Sequence, residues 1–367
     1  MEIVTAGHLC LDIIPKWGTG SLEAIQPGKL VVLDGVAFAT GGAVSNTGIS
    51  LKRLGLSPIL IGRVGDDHLG EIVRRIYAEE GVAAQHLVVC PGATTSYTIV
   101  LNPPESDRAF LHYPGTNDQF SPDDVDFSAL PQGLFHFGYP PLMAQMYKER
   151  GSLLVELFQK AKSAGMVTSL DMAMPDPNSP AGRAPWREIL RAVLPYVDVF
   201  LPSIDELMYM LGRSRAATNL AAVEEAAAAV LEMGTAVVGI KLGDQGLYLE
   251  TSPRAGALFG QGWAERQLMA PCFRVDVQGT TGAGDATIAG FLAALAEGRG
   301  PEETLTLAVA VGAHCVEALS ATAGIPHLGQ VEGRIEAGWP RRPVALQSSG
   351  WQTGKKQLLV GPRDMEG

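Results

Sequence analysis

The sequence predicts an α/β fold in which a doubly wound, mostly parallel sheet carries a small β-sheet as a lid. Short apolar runs rich in β-branched residues alternate along the chain with longer Ala- and Leu-rich stretches. Continuously apolar runs of this kind are typical of parallel strands that are buried on both faces and separated by helices. The clearest strand signals are 134–137, 167–170, 197–201 and 236–240, and the clearest helix signals are 152–164 and 220–233.

Two segments, 12–40 and 91–114, break this rhythm. They carry several Gly and Pro residues and alternating stretches such as 95–100, a pattern typical of antiparallel strands with one solvated face. We expect them to form one small lid sheet, placed to cover a ligand or to meet a second subunit. The segment 330–367 contains Pro, Ser and Gly with little periodicity. We therefore expect one domain over 1–329, followed by a tail that wraps the surface or is mobile.

Composition excludes several classes of protein. The 367 residues include 28 basic and 39 acidic ones, the net charge is −11 and no basic run is present, so general nucleic-acid binding is not expected. The four cysteines form no Cys-x-x-Cys pair, which argues against a zinc site or a disulfide framework. The apolar segment 305–325 contains His314 and Glu317, which disfavours a membrane span. With no signal-peptide pattern at the start, we expect a cytoplasmic protein.

The most informative stretch is 279–285, Gly-Thr-Thr-Gly-Ala-Gly-Asp, which opens a predicted helix. Gly282, Ala283 and Gly284 have small side chains or none, so their N–H groups can converge on an anion at the positive end of the helix. Asp285 would lie in the first turn, where it can accept a proton from a hydroxyl. The structural alternative is a glycine-rich turn whose Asp only caps the helix.

Other interpretations of a glycine-rich turn can be tested directly on the sequence. There is no Gly-x-x-x-x-Gly-Lys-Ser/Thr P-loop, and the turn lacks the third glycine of a dinucleotide fingerprint. There is also no Gly-x-Ser-x-Gly elbow and no His-Glu-x-x-His motif. Hydrolase and dehydrogenase interpretations therefore have no motif to support them.

A second group of residues lies near the start of the chain. It comprises Gly41, Gly42 and Asn46, with Asp12 just after the first predicted strand. Paired glycines allow the backbone to approach a ligand closely, and the Asn amide offers both a donor and an acceptor to a hydroxyl. The alternative is an Asn cap beside a packing Gly-Gly pair, with Asp12 closing a turn.

Two further groups follow predicted strands. Ser203 and Glu206 have the Ser-x-x-Glu spacing of a capping box, or Glu206 holds hydrated magnesium, which takes few protein carboxylates. Lys241 and Gly243 lie in a turn that ends at Gly246. That turn either passes close to nucleotide phosphates or is simply a tight hairpin.

Taken together and in this order, the motifs resemble the ribokinase-like (PfkB) family of carbohydrate and nucleoside kinases over about residues 2–329. The family's first signature resembles 41–46 with the later 64–66, and its second and more specific signature resembles 280–285. The resemblance implies a ribokinase-like fold and an ATP- and magnesium-dependent kinase. The two lid segments correspond to the family's small sheet, whose closure would exclude water from the transfer.

The resemblance also implies a role for each matched residue. Asp285 would be the catalytic base, and Gly282, Ala283 and Gly284 would form the anion hole. The implied substrate contacts are Asp12, Gly41, Gly42, Asn46, Arg108 and Asn117, the implied nucleotide contacts are Ser203, Lys241, Gly243, Gly246 and His314, and the implied metal ligand is Glu206.

Three positions depart from the family pattern. Gly279 stands where the family usually has an Asp that helps to bind a monovalent cation, so we expect activation by such a cation to be weakened. Ser203 replaces the usual Asn, which keeps a hydroxyl but loses an amide. His314 lies where small apolar residues commonly line the adenine pocket, and a buried core His is the alternative interpretation.

These observations predict an ATP-dependent phosphotransferase that acts on a hydroxyl of a small sugar or sugar acid. A nucleoside kinase on the same fold is the alternative, with Tyr97, Phe110 and Tyr113 as candidate stacking residues. A non-catalytic ligand-binding regulator is a further alternative, motivated by Gly279. Because exposed apolar lid strands need to be covered, we also expect a homodimer through the lid, and no nucleic-acid or membrane partner.

Overall fold

The computed structural model describes residues 1–105, 108–213, 219–346 and 349–364. Parts of the predicted lid (106–107) and of the predicted tail (347–348 and 365–367) lie outside these residues. The strands are β1 (Glu2–Gly7), β2 (Cys10–Lys16), β3 (Gly35–Gly41), β4 (Ile59–Ile61), β5 (Arg63–Gly65), β6 (Val88–Cys90), β7 (Tyr97–Leu101), β8 (Ala109–Tyr113), β9 (Gly133–Gly138), β10 (Val167–Leu170), β11 (Val199–Phe200), β12 (Val237–Lys241), β13 (Leu247–Thr251), β14 (Gln267–Ala270), β15 (Gln352–Thr353) and β16 (Leu359–Val360). The helices are α1 (Gly42–Arg53), α2 (His68–Glu79), α3 (Ala144–Tyr147), α4 (Ser152–Ser163), α5 (Trp186–Val193), α6 (Ile204–Met210), α7 (Leu220–Glu232), α8 (Pro253–Phe259), α9 (Ala283–Ala296), α10 (Pro301–Val316) and α11 (Leu328–Glu336).

The main sheet has the strand order β15-β16-β14-β13-β12-β11-β10-β9-β1-β4. From β4 to β12 neighbouring strands are parallel, and from β12 to β15 they are antiparallel. The predicted α/β fold with a doubly wound, mostly parallel sheet is therefore confirmed. The antiparallel extension begins at the turn 243–245, which joins β12 directly to β13 as a hairpin.

Successive residues of the central strands face opposite layers of helices, as the strand period of two requires. Val4, Phe135 and Phe200 pack in one core with side chains of α4, α5 and α7. Their sequence neighbours Ile3, Leu134 and Val199 pack in a second core with α9, α10 and α11. Both faces of the sheet are thus covered, which explains why the strand segments are continuously apolar in sequence.

The lid is a four-stranded sheet with the order β3-β2-β7-β8. Its strands come from the two segments that the alternating sequence pattern singled out. β2 pairs in antiparallel fashion with β3 and in parallel fashion with β7, and β7 pairs in antiparallel fashion with β8. One lid face carries Asp12, Thr98 and His112, which lie side by side in the register and line a cavity.

The C-terminal segment extends the main sheet. β16 pairs with β14, and β15 pairs with β16, while the side chain of Leu358 is completely buried. The buried guanidinium of Arg266 is 3.1 Å from a carboxylate oxygen of Asp364, and these two side chains are 3% and 0% exposed. The segment therefore belongs to the packed domain. The two strands are only two residues long, which is too short to produce an alternating pattern in the sequence.

The carboxyl ends of β1, β9, β10, β11 and β12 lie at one edge of the sheet because these strands are parallel neighbours. In open α/β sheets this edge is where ligands bind. Among the described helices, none combines the length and the apolar character needed to cross a bilayer.

If the C-terminal segment is part of the domain, Asp364→Ala will destabilise the whole fold. The change removes a buried carboxylate that accepts hydrogen bonds from Arg266 and from the backbone N–H of Gln267. We expect the free energy of unfolding in urea to fall by ~3 kcal/mol, the usual cost of breaking a buried ion pair.

The matched control is Glu303→Gln, which breaks an ion pair with Lys356 in which both side chains are about half exposed. That loss should be under about 1 kcal/mol because exposed pairs contribute little. Equal effects of the two changes on the free energy of unfolding would contradict the structural role of the segment.

Candidate active site

Polar side chains follow the parallel strands at the carboxyl edge. His8 follows β1, Tyr139 follows β9, Asp171 follows β10 and Lys241 ends β12. The N-terminus of α9 reaches the same edge, because Asp285 in its first turn is hydrogen-bonded to Tyr139. Five elements that are distant in sequence therefore converge on one site.

The start of α9 is built by small residues. Gly282 is the N-cap residue and has a φ of 77°, a conformation that favours glycine. A Cβ at this position would also lie 2.6 Å from the carbonyl oxygen of Ala321, so the turn has no room for a side chain. The N–H groups of a first helical turn lack intrahelical partners and attract negative charge. The Ala283 N–H is only loosely held, at 3.3 Å from the carbonyl oxygen of Thr280.

Asp285 is 3% exposed and both of its carboxylate oxygens are held. The Asn46 amide donates to Oδ2 at 3.0 Å. The Tyr139 hydroxyl lies 2.8 Å from both Oδ1 and Oδ2. Tyr139 itself adopts a φ of 66°, an uncommon conformation for an aromatic residue. These bonds fix the direction in which the carboxylate points.

Burial raises the pKa of Asp285 above its ordinary value. The positive charge of Lys241 and the hydrogen bonds from Tyr139 and Asn46 oppose that shift because they favour the ionised form. A carboxylate in this balance is a stronger base than an exposed one while still being able to ionise. Such tuning is typical of a catalytic base.

Asp285 lies between two cavities. One has a volume of about 540 Å³ and is lined by residues of α6, the turn 243–246, α9 and α10. The other has a volume of about 1070 Å³ and is lined by the lid, α1 and the loop after β10. Asp285, Tyr139 and Gly282 line both. A group in either cavity can therefore reach the same carboxylate.

The larger cavity, which we call the acceptor cavity, contains most of the predicted substrate contacts. Asp12, Gly42, Asn46 and Arg108 line it. Burial raises the pKa of Asp12 to about 6, and a Cβ at Gly41 would collide with the Asp12 carboxylate. Gly41 therefore makes room for Asp12.

Arg108 joins the lid to the glycine-rich motif. Its guanidinium donates to the Thr280 hydroxyl at 3.0 Å, across 172 residues of sequence. The lid is thus closed over the start of α9 in this structure.

His8 is a site residue that the sequence motifs did not single out. It lines the acceptor cavity, is 2% exposed, and has no hydrogen-bond partner for either ring nitrogen among the described residues. Burial lowers its pKa to about 3, so the ring is neutral at physiological pH. Its ring centroid is 5.2 Å from that of His112 on the lid. His8 therefore carries unused hydrogen-bonding capacity at the floor of the cavity.

The smaller cavity, which we call the donor cavity, is lined by Ser203, Glu206, Lys241, Gly243 and Gly246. Ser203 and Glu206 form a reciprocal capping box: the Ser203 N–H donates to Glu206 at 2.7 Å, and the Glu206 N–H donates to the Ser203 hydroxyl at 3.3 Å. The capping interpretation is thus present in the structure, and the Glu206 carboxylate lines the cavity as well. A Cβ at Gly246 would collide with the backbone of Ala270, which explains the glycine there.

Lys241 is paired with Asp171, a residue that the motifs also missed. The two charged groups are 2.7 Å apart, and their side chains are 13% and 1% exposed. Burial opposes the charged form of Lys241, but the attraction of Asp171 outweighs it and leaves the Lys241 pKa raised. Burial likewise raises the pKa of Asp171, and Lys241 opposes that shift. The pair places a compensated positive charge beside Gly284. A Cβ added to Gly284 would lie 3.7 Å from the Lys241 ammonium nitrogen.

Magnesium needs oxygen ligands and keeps several of its waters. No cluster of three or more His, Cys, Asp or Glu side chains suited to a metal occurs among the described residues. Glu206 nevertheless lines the donor cavity, its charge raises the pKa of Asp171, and the second oxygen of Asp171 is buried without a hydrogen-bond partner among the described residues. This donor set fits a hydrated magnesium ion that takes most of its ligands from water and phosphate.

The structure corrects two of the predicted contacts. The Asn117 amide donates to the Leu9 carbonyl at 2.8 Å and its Oδ1 accepts from the Leu9 N–H at 3.2 Å, so this side chain holds the β1–β2 connection and does not line the acceptor cavity. His314 points away from the donor cavity and packs edge-on against Trp339, with ring centroids 4.9 Å apart. The small neighbours Gly312 and Ala313 line that cavity instead.

A model of the pfkB family of carbohydrate kinases matches residues 3–328. The chain belongs to this family. It is therefore a carbohydrate kinase, as the ordered motifs predicted. Gly42, Asn46 and Asp285, which carried that resemblance, line the same cavity, and the Asn46 amide donates to the Asp285 carboxylate.

Relatives and solved structures agree with this assignment. The kinase is 25% identical over 344 residues to probable fructokinase-4 of Arabidopsis thaliana. The aligned residues cover 91% of this chain and 96% of that protein. Its fold is similar to that of Arabidopsis thaliana ribokinase complexed with ribose and ATP, with a TM-score of 0.71, 21% identity and coverage of 90% and 97% of the two chains. It is also similar to a putative ribokinase II from E. coli in complex with ATP and Mg²⁺, with a TM-score of 0.71, 23% identity and coverage of 92% and 99%. The ribokinase-like fold is confirmed.

Three residues of the site, His8, Tyr139 and Asp171, escaped the sequence motifs. Each is the first polar or aromatic side chain after a buried strand that ends at the carboxyl edge. That position is a usable signal, because parallel strands deliver their ends to a common ligand site.

Tyr139→Phe tests the tuning of Asp285. The change removes a hydrogen bond that favours the ionised carboxylate, so the pKa of Asp285 will rise and less of the base will be ionised at low pH. We expect the acid limb of the kcat/KM profile to move to higher pH by up to about one unit, the value of one charge-assisted hydrogen bond.

The matched control is Tyr147→Phe, since Tyr147 lines the acceptor cavity without a described bond to Asp285. Its acid limb should coincide with that of the wild type. A profile for Tyr139→Phe that is lower in rate but unshifted in pH would show that Tyr139 has no influence on the ionisation of Asp285.

Proposed function

We propose that this kinase transfers the γ-phosphoryl group of ATP to a hydroxyl of a small sugar, with Asp285 as the base. The observation that carries the proposal is the position of Asp285, which is shared by the walls of two cavities and lies in the first turn of α9. A phosphoryl donor in one cavity and a hydroxyl in the other would meet at this carboxylate. Phosphoryl transfer needs little more than this positioning and a stabilised anion.

In the proposed mechanism, the acceptor hydroxyl displaces the Tyr139 hydroxyl from Asp285 and donates its hydrogen bond to the carboxylate. Asn46 keeps the carboxylate oriented during the exchange. The N–H groups of Gly282, Ala283 and Gly284 stabilise the negative charge that builds on the transferred group. Asp285 takes the hydroxyl proton as the new oxygen–phosphorus bond forms and the bond to the leaving ADP breaks.

ATP and magnesium are proposed for the donor cavity on two supports. One fold neighbour, the Arabidopsis thaliana ribokinase, is complexed with ribose and ATP, and another, the putative ribokinase II from E. coli, is in complex with ATP and Mg²⁺. In this chain, Lys241 provides a positive charge at Gly284, and Glu206 with Asp171 would hold the hydrated metal. Magnesium would neutralise charge on the phosphates when bound.

An uncharged sugar suits the acceptor cavity better than a sugar acid. Among the described lining residues, the carboxylates of Asp12, Asp118, Asp176 and Asp285 face a single guanidinium, that of Arg108. An acidic substrate would be repelled by this excess of negative charge. Hydroxyls, in contrast, can donate to the carboxylates and bond with the neutral ring of His8.

The aromatic residues give little support to a nucleoside as the acceptor. Tyr97 and Tyr113 pack on each other with ring centroids 5.5 Å apart and do not line the cavity, whereas Phe110 does. Besides the His112 imidazole, which is hydrogen-bonded to Thr98, Phe110 is the one described lid ring in the cavity on which a base could stack. A sugar remains the better supported acceptor.

Asp285→Asn tests the proposed base. The amide keeps the shape of the side chain but cannot accept the hydroxyl proton, so kcat with ATP should fall by about 10²- to 10⁴-fold. The measurement is ADP release with a panel of sugars, sugar acids and nucleosides, each tested with both proteins.

Asp126→Asn is the matched control, because Asp126 is exposed and its carboxylate accepts hydrogen bonds from residues just after it in sequence, such as Ser128. Its kcat should equal that of the wild type. If Asp285→Asn retained the kcat of the wild type, Asp285 would not be the base. If the wild type phosphorylated nucleosides and none of the sugars, a nucleoside would replace the sugar as the proposed acceptor.

We also propose that two copies of this kinase associate through the outer face of the lid. That face, opposite the acceptor cavity, exposes large apolar side chains on both edge strands, including Val36, Phe38, Leu111 and Tyr113. An exposed apolar sheet face is typical of an interaction surface. A twofold contact would cover the same face of both chains at once.

Sedimentation velocity tests this association. Wild-type protein should sediment as a species of twice the chain mass, and Phe38→Asp should shift it to one chain mass because a charge is placed in the apolar interface. Val89→Asp, on an exposed apolar position of β6, should leave the dimer intact. A wild-type monomer at micromolar concentration would contradict the proposal.

A further inference from the structure

The donor cavity has a deficit of positive charge. Among its described lining residues, Lys241 and Arg342 are the two cationic ones, and they share the cavity with the carboxylates of Asp205, Glu206, Asp244 and Asp285. Lys241 already forms an ion pair with Asp171, at a distance of 2.7 Å. A triphosphate brings several further negative charges. Arg342 is therefore the cation that is best able to form new bonds with it.

The backbone of Arg342 is fixed at the rim of this cavity. Its N–H donates to the carbonyl oxygen of Cys272 at 2.7 Å, and the Arg274 N–H donates to the Pro340 carbonyl at 2.9 Å. These two bonds pair the segment 340–342 with 272–274, a stretch that also lines the cavity through Cys272 and Phe273.

Aromatic stacking strengthens this attachment. Phe273 lies parallel to Trp339, with ring centroids 4.4 Å apart. The guanidinium of the neighbouring Arg341 covers the Phe273 ring at 4.3 Å and donates to the Pro271 carbonyl at 2.6 Å. Arg341 is thus used to hold the segment in place, and its neighbour Arg342 is presented to the cavity.

The guanidinium of Arg342 is poorly engaged in comparison. Its side chain is 44% exposed and lies 3.3 Å from Asp244, whose side chain is 60% exposed. An exposed ion pair of this kind contributes little free energy, so it can be exchanged for another anion at small cost. A planar guanidinium also matches phosphate oxygens in a two-bonded geometry.

We propose that Arg342 binds the polyphosphate of the nucleotide donor, and that the C-terminal segment is thereby a working part of the nucleotide site. Residues 3–328 match the family model, so Arg342 lies outside the part of the chain that the family explains. The proposal rests on the proposed ATP donor. It gives the packed C-terminal segment a function besides completing the sheet.

Binding measurements on Arg342→Gln test the proposal without relying on turnover. Isothermal titration calorimetry with ATP alone should show a Kd that is about tenfold to a hundredfold weaker than in the wild type, the usual effect of losing a hydrogen bond to a charged group. Binding of adenosine, which has no phosphates, should change by less than about twofold because no charged hydrogen bond is lost. Asp244→Asn should strengthen ATP binding, since it releases Arg342 from its ion pair with Asp244.

Arg363→Gln is the matched control. Arg363 comes from the same C-terminal segment, has a similarly exposed side chain at 49% and pairs with Glu250 away from the cavity. Its ATP affinity should equal that of the wild type. Thermal unfolding of both variants checks that they are folded.

The possible outcomes separate this proposal from the proposed function. Wild-type ATP affinity in a folded Arg342→Gln variant would overturn the role of Arg342 and leave the kinase proposal standing. An equal loss of ATP and adenosine affinity would overturn the polyphosphate as the bound group. Failure of the wild type itself to bind ATP would overturn the proposed donor, and the Arg342 assignment with it.

Discussion

The structure depends on one constraint: the carboxylate of Asp285 is buried and yet lines two cavities. Burial alone would raise its pKa and neutralise it. The Asn46 amide, the Tyr139 hydroxyl and the charge of Lys241 each favour the ionised form. Because these groups come from α1, the end of β9 and the end of β12, the site exists only when the sheet and both helix layers are assembled.

The same constraint explains the layout of the charges around the site. Lys241 is kept beside Gly284 by a buried partner, Asp171, and this pair compensates two charges that would be costly if either were alone. The acceptor cavity carries excess negative charge and suits neutral hydroxyls. The triphosphate that we propose for the donor cavity would need cations, and Arg342, from beyond the family's matched region, lines that cavity. Each cavity is thus suited to a ligand of different charge.

Much of the fold could be predicted because its cause is local. The runs at 134–137 and 236–240 are mostly apolar because both faces of β9 and β12 are covered by helices. The segment around 95–100 alternates because β7 has a cavity face and an outer face. Asp285 was found because the start of α9 needs glycines that the sequence displays directly. The short strands β15 and β16 leave no periodic signal, so the sequence could not show that the C-terminal segment joins the sheet.

The misplaced residues have equally physical reasons. The resemblance implies Asn117 as a substrate contact, but the sequence could not show that the Leu9 backbone uses both ends of its amide. His314 was assigned to the nucleotide, but a helix rotates by about 100° per residue, so Ala313 faces the donor cavity while His314 faces Trp339. Tyr139 depends on a left-handed backbone after β9 that no local pattern predicts.

The most direct test of this mechanism is a crystal structure with a non-hydrolysable ATP analogue and the sugar that supports turnover. We expect the analogue in the donor cavity with its terminal phosphate at the N–H groups of Gly282 to Gly284. We expect the sugar in the acceptor cavity with one hydroxyl about 3 Å from Asp285, the distance required of a general base. Two ligands in the same cavity, or an Asp285 still bonded to Tyr139 and remote from both, would contradict it.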